Sequence, residues 1–484
     1  MKHLLLILMV LMTLSSLSSA EDITITPDNV TDLQLLDTLG YGRPVSIAIH
    51  DEKIAIGTYH GVLLYDNRDA EPRFLLPEVA LLRQVVFSPD GTILITAGAV
   101  YAGGTTDMQA VLYGWDTTTG ELLFSYVDDQ ELLFVDVAIS TDGTKLLAGG
   151  YGRRMLMWEL ASIGTTPPQE VDFSETEELA RWVFVTLQVS LSADGSIGAA
   201  VFYSLSLDNS NIVYVWDTAT GEVLLSLDET MFDIGVHDVL LSDDGESIIV
   251  SNTVWDVQTG SKLADSEDYV WRLQRTDGFF VTAGAQVRLY DSLAALIDET
   301  PEWTMTIDQE YHDVQAVDVT SAGVIAVLYT SFEVDLIRDG VSDDRWSLVS
   351  ESEEELNLIN LINEENARTH TEDGIFNVDN TAIARVSETE DVIQIVDVAS
   401  GDVRFELSMN EFVDAVDISW SPMNDLIAGI DNHNRLYIWD AQTGERLYEY
   451  LLSYSFSDFD IAFMSNQIIA TTHDGLTVIW GIPQ

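Results

Sequence analysis

The 484-residue chain contains no cysteine. That absence excludes a disulfide framework, thiolate metal sites and a cysteine nucleophile. It leaves export open, because a large core stands without disulfides. Positive charge is nearly as scarce. Lys and Arg total 21 against 81 Asp and Glu, for a formal net charge of −60. The only lysines are Lys2, Lys53, Lys145 and Lys262. Such a surface repels phosphate backbones, so nucleic acid is excluded as a partner. Anionic membranes are disfavoured by the same physics. Basic proteins or divalent cations would be attracted, while solubility or adaptation to a salty medium accounts for the same acidity.

Familiar catalytic patterns are missing too. There is no Gly-x-Ser-x-Gly elbow, no His-Glu-x-x-His pair and no phosphate-binding Gly-x-x-x-x-Gly-Lys. The eight histidines are widely spaced, and none sits at ligand spacing from another. No complete calcium loop occurs. Asp431-Asn432-His433-Asn434 and Asp208-Asn209-Ser210-Asn211 are oxygen-rich, but as turns between strands they need no ion. The expectation is therefore a chain that is not an enzyme, with no catalytic residue, no metal site and no cofactor.

Apolar residues are abundant at 46 %, enough to bury a sizeable core. The first long run is N-terminal. Met1-Lys2-His3 is basic, Leu4 to Leu14 is apolar apart from Thr13, and Ser15 to Ala20 is small and polar. This three-part pattern predicts a signal peptide over 1–20, cleaved after Ala20. No second long apolar stretch follows, so the mature chain, 21–484, is expected outside the cytoplasm, secreted or in the cell envelope or periplasm, without stable membrane insertion.

From residue 45 onward the chain repeats. Val85-Val86-Phe87-Ser88-Pro89-Asp90-Gly91 returns at Val137 to Gly143, at Val189 to Gly195 and at Val239 to Gly245. Asp-Gly between two β-prone runs is a hairpin signal. A second segment follows: Trp115-Asp116-Thr117-Thr118-Thr119-Gly120-Glu121, repeated from Trp216, Trp255 and Trp439. Weaker copies fall at Tyr65-Asp66, Trp158-Glu159, Tyr290-Asp291, Ile337-Arg338, Val396-Asp397 and Trp480-Gly481. Ten units result, each read as four antiparallel strands, which is one propeller blade. The last unit runs out after three strands, and Leu33-Gln34-Leu35-Leu36 is the expected fourth.

The paired Ser-Pro-Asp-Gly and Trp-Asp-x-x-Thr-Gly-Glu turns resemble those of the WD-repeat (Trp-Asp repeat) β-propeller family over nearly the whole mature chain. The family's Gly-His dipeptide is absent, and its turn aspartate matches only at Asp474, so the chain looks like a divergent exported member. The fold implied is all-β. One closed ring is expected, since no linker divides the chain; two tandem propellers, or seven to eight blades with insertions, are the alternatives. Residues 351–373, acidic then apolar, are a candidate joint or insertion, and Gly164 to Glu178 reads as a loop.

Propellers commonly bind through the loops leading into their innermost strands. By repeat alignment those positions include Arg83, His237 and Trp271, and Arg and Trp are favoured contact residues. The leading expectation is a monomeric protein-binding scaffold, its partner a protein, and a basic one on charge. One alternative is an enzyme or small-ligand-binding propeller with a site at the central channel, recognisable by clustered His or carboxylates with perturbed pKa values. A channel of Val, Ser and Gln would count against it. The other alternative is a cation-dependent structural protein.

Overall fold

The computed structural model describes residues 24–483, leaving out 76–80, 102–107, 174–183, 205–210, 307–313, 348–369, 387–391, 410–414, 452–458, and shorter stretches or isolated residues such as 237. The signal-peptide expectation at 1–20 therefore lies outside the described residues. What is described is all-β. Nine antiparallel sheets have four strands each and one has five, in the manner of propeller blades.

The ten sequence markers each fall at the end of the next-to-last strand of a sheet. Trp115 ends the strand Met108–Asp116, Trp216 ends Asn211–Asp217 and Trp439 ends Arg435–Asp440. The turn after each of these three is built by its aspartate. Asp217 Oδ1 accepts the N–H groups of Ala219 (3.0 Å) and Thr220 (2.8 Å). The Thr220 hydrogen bonds hold the Asp217 carboxyl below the usual carboxylate range. Gly221 then takes φ +74°, a conformation that disfavours a side chain. The indoles face inward: Trp216, Trp439 and Trp480 are fully buried. Their large area is the main reason to expect cohesion between neighbouring sheets.

The chain divides into two compact units, residues 44–348 and residues 1–43 with 349–484. The first holds seven sheets, each built from four consecutive strands. Every sheet shares an apolar cluster with the next. Leu64 and Leu75 of the first meet Val85 and Trp115 of the second, and Leu147 and Met155 of the third meet Tyr214 and Trp216 of the fourth. The last cluster returns to the start: Ile47, Ile54 and Leu63 of the first sheet pack on Val324, Ala326 and Leu328 of the seventh. The first sheet thus packs against the second and the seventh, which corrects the expectation of a single ring of ten. The seven-sheet count arises because an inter-sheet contact is non-local, while the repeat pattern reads alike in all ten units.

The other unit holds three sheets. The strand Gln34–Gly40 pairs antiparallel with Leu476–Gly481 and completes the tenth sheet, as its sequence suggested. Ile25, Val30 and Leu33 enter the core beside Trp480, Ile438 and Ile468. Tyr448 donates to the Leu33 carbonyl at 3.0 Å. The division between units falls between Leu348 and Val349. Of the candidate joint at 351–373, residues 351–369, 372 and 373 lie outside the described residues, and His370–Thr371 adds the fifth strand to the eighth sheet. The stretch from Gly164 is not all loop, because Gln169–Asp172 is the outermost strand of the third sheet.

Two of the four lysines lie at joints between sheets. Lys53 Nζ donates to the Gly91 carbonyl (2.9 Å) and to Thr117 Oγ1 (2.7 Å) in the next sheet. Lys145 Nζ reaches the Gly195 carbonyl at 3.4 Å.

Candidate functional site

Within the seven-sheet unit the first strand of each sheet lines one cavity of about 420 Å³. Four of these strands begin with a β-bulge followed by a polar residue. Pairing shifts register between Pro44 and Ser46, Leu82 and Gln84, Phe134 and Asp136, and Thr186 and Gln188. A bulge re-aims the next side chain, and here that side chain is polar. Ser46 Oγ donates to Gln84 Oε1 at 2.7 Å and accepts the Val85 N–H at 3.2 Å. Asp136 Oδ2 accepts the Val189 N–H (2.8 Å), Gln188 Oε1 that of Val239, and Asp238 Oδ2 that of Leu273 (2.6 Å). Each polar group therefore ties its own sheet to the following one. Satisfying a buried N–H matters more than the net worth of the bond, since an orphaned donor costs about 1–3 kcal/mol.

Asp318 closes this sequence of contacts. Its Oδ2 accepts the Ile49 N–H of the first sheet at 2.8 Å. Its Oδ1 accepts from Gln274 Nε2 of the sixth sheet at 2.8 Å and from the Val319 N–H at 2.9 Å. Burial pushes its carboxyl up to about 6, against the three N–H donors that favour the anion. A carboxyl with that pKa holds a proton part of the time near neutrality and is able to pass it on. The cavity wall also includes Gln84, Gln188 and Gln274, Ser190, Asp136, His50 and Asp51, set among aliphatic side chains. It is neither the cluster of His and carboxylates that would signal an enzyme nor a wall free of carboxylates.

In sequence, Arg83 and His237 stand one position before Gln84 and Asp238, and Trp271 three before Gln274. Arg83 occupies the bulge before Gln84 and does not line the cavity. Its Nε is buried without a hydrogen-bond partner among the described residues. Trp271 occupies the corresponding bulge between Val270 and Arg272; its side chain is outside the description. His237, immediately before Asp238, lies outside the described residues. The signal that was missed is a polar residue four positions before the turn serine: Gln84 before Ser88, Asp136 before Ser140, Gln188 before Ser192 and Asp238 before Ser242. The oxygen-rich turn at Asp431 is held by protein groups: its carboxylate accepts the Arg435 N–H (2.9 Å) and the Tyr437 hydroxyl (2.8 Å). Asn432 to Asn434 and Asp208 to Ser210 lie outside the described residues. Among the described residues no group of three or more His, Asp or Glu is arranged to hold a metal. No helix among them is long and apolar enough to cross a membrane.

No family model matches the sequence, and no curated protein matches it. The chain is similar to many solved structures. One is Kuenenia stuttgartiensis hydrazine synthase, at 16 % identity and TM-score 0.44, covering 61 % of this chain and 96 % of that one. That neighbour is an enzyme by name, and the expectation that this chain is not an enzyme is withdrawn with that finding. At such identity and score no activity, substrate or partner is carried across.

Proposed function

We propose that residues 44–348 form a closed seven-bladed propeller of the WD-repeat type, exported and serving as a binding scaffold for a protein partner. The carrying observation is the use made of the polar residues on the first strands. Ser46, Asp136, Gln188, Asp238 and Asp318 are engaged in fastening sheet to sheet. They make a stiff hub and leave recognition to exposed loops and outer strands. The formal charge of −60 favours a basic partner. Export rests on the three-part pattern of residues 1–20.

The test is a pull-down with the full chain from the native extracellular or envelope fraction, at low and high salt. A stoichiometric partner released by salt supports the scaffold and ties it to the acidic surface. Retention of nothing at either salt overturns it. A second reading, a small polar ligand in the 420 Å³ cavity, is favoured by Asp318 and its raised pKa. Ligand screening by thermal shift on wild type and Asp318→Asn separates the two, because a cavity ligand would lose its effect in the variant.

A further inference from the structure

We propose that the outer strand Leu122–Asp128 of the second sheet is a docking edge for an extended apolar segment of a protein partner, flanked by basic residues. This names the surface and the partner chemistry for the binding-scaffold reading and rests on it.

The strand lies at the edge of its sheet, paired among the described residues only with Met108–Asp116. One of its faces is covered. Phe124 packs over Gly114 and under Gly164, and Tyr126 meets Trp158 edge-on at 5.0 Å. The remainder is bare: Leu122, Leu123 and Val127 are 48 %, 51 % and 47 % exposed, with Ser125 exposed between them. Edge strands of natural proteins are blunted by charge, proline or brevity. Several other outer strands show such protection, and Val223–Asp228, the least protected of them, keeps its one charge, Asp228, exposed. Arg73–Leu75 is three residues long. Gln169–Asp172 carries Glu170, bound to Arg154 at 2.7 Å, and Lys262–Asp265 carries an ion pair between its ends at 2.6 Å. Val403–Leu407 presents Arg404 and Glu406. Leu122–Asp128 runs for seven residues with a single charge, Asp128. That charge is 4 % exposed and turned inward, accepting from the Tyr126 hydroxyl (2.9 Å) and from Arg154 (3.3 Å). A bare, apolar, uncharged edge of this length is what strand addition uses: backbone bonds supply affinity and alternate side chains supply selection.

Charge decides the occupant. The bare stretch is bracketed by exposed Glu121 and Asp129. Antiparallel pairing with a second copy would set Glu121 against Asp129 at both ends, in chains that each carry −60, and like charges placed opposite are destabilising. A partner segment with cations beyond its apolar run meets both carboxylates favourably.

The probe is a synthetic peptide of alternating valine and threonine with paired lysines at each end, titrated into the full-length protein. Binding is read by fluorescence anisotropy, and its place by amide hydrogen exchange. Saturable binding that slows exchange over residues 122–127 is expected. Leu123→Lys should weaken it by about tenfold or more, while Leu224→Lys, on another outer strand, should change it by less than about twofold. Both sites are exposed, so both variants should fold, as near-UV circular dichroism will check. Absent binding, unchanged exchange at 122–127, or equal losses in the two variants would overturn the docking edge. Self-association of wild type that Leu123→Lys abolishes would assign the edge to a second copy and overturn it also. A native partner still retained by Leu123→Lys in the pull-down would sink this edge while leaving the scaffold standing.

Discussion

The two units tie off their repeats in different ways. In residues 44–348 every sheet is made of consecutive strands, and no strand pairing joins the ends of the series among the described residues; side-chain contacts do. Those are the cluster of Ile47 and Ile54 with Val324 and Ala326, and the Asp318 carboxylate on the Ile49 N–H. In the three-sheet unit a strand from one end of the chain, Gln34–Gly40, is built into a sheet from the other end. The first device depends on packing and on one titratable group. The second depends on main-chain pairing, which no single side-chain change removes. Covalent continuity within a sheet and continuity between sheets are therefore separable tasks, and this chain solves them with different chemistry in its two units.

Deleting residues 24–40 is the severest challenge to that contrast. It strips the tenth sheet of a strand and removes Ile25, Val30 and Leu33 from the core. At about 1.5–3 kcal/mol per buried side chain the loss is about 5 kcal/mol or more. Limited proteolysis should then cut within 349–484 first and spare 44–348. Protection of both would mean that the N-terminal strand is dispensable.

Next in size are the buried indoles. Trp216→Ala and Trp480→Ala should each cost about 3–5 kcal/mol in urea unfolding. Hydrogen exchange should speed up mainly in the sheets that share the lost cluster. A loss spread evenly over all ten sheets would contradict the division into two units.

Asp318→Ala should destabilise 44–348 by about 1–3 kcal/mol, since the Ile49 N–H and Gln274 lose their acceptor. Its pH dependence has a definite sign. The folded carboxyl, at about 6, lies above its unfolded value of 3.8, so the folded state binds the proton more tightly. This group's contribution is most favourable below about pH 4 and declines as pH rises through 6. Asp397, in the three-sheet unit, runs the other way. The Arg404 hydrogen bond, helped by the Ser400 N–H, lowers its carboxyl to about 2, so its contribution is present above 3.8 and fades as pH falls toward 2. Difference titrations of Asp318→Asn and Asp397→Asn against wild type, by calorimetry, should show slopes of opposite sign. Equal slopes would remove the distinction.

The smallest effect should be common to both units. Gly221→Ala and Gly401→Ala each place a side chain at φ near +75°, with no contact closer than 3.6 Å, so strain alone acts. About 1 kcal/mol is expected at each, from thermal midpoints. A marked difference would show that the turns are not equivalent.

Most of the repeat was legible because it is local. Asp-Gly turns and Trp-Asp ends mark strands within a few residues of themselves, and all ten markers fall where a strand ends. The donated strand was legible as well, since a three-stranded remainder needs a partner. The partition into seven and three was not, because a contact such as Asp318 to Ile49 spans 269 residues and leaves no mark on either segment. The polar residues of the cavity wall sit close in sequence to the expected site residues. Arg83 precedes Gln84, His237 precedes Asp238 and Trp271 precedes Arg272. A bulge between Leu82 and Gln84, and another between Val270 and Arg272, defeats simple alternation there, so a one-residue slip exchanges the two faces of the strand.

The joints at Lys53 and Lys145 carry a practical consequence. Of the four lysine side chains that amine-directed reagents can find, two are hydrogen-bonded across neighbouring sheets. Acylating Lys53 would replace an ammonium that serves Gly91 and Thr117 with a neutral amide. Immobilisation or dye labelling through amines would thus loosen the object it is meant to report on, and attachment through carboxylates or an engineered surface cysteine is the sounder chemistry.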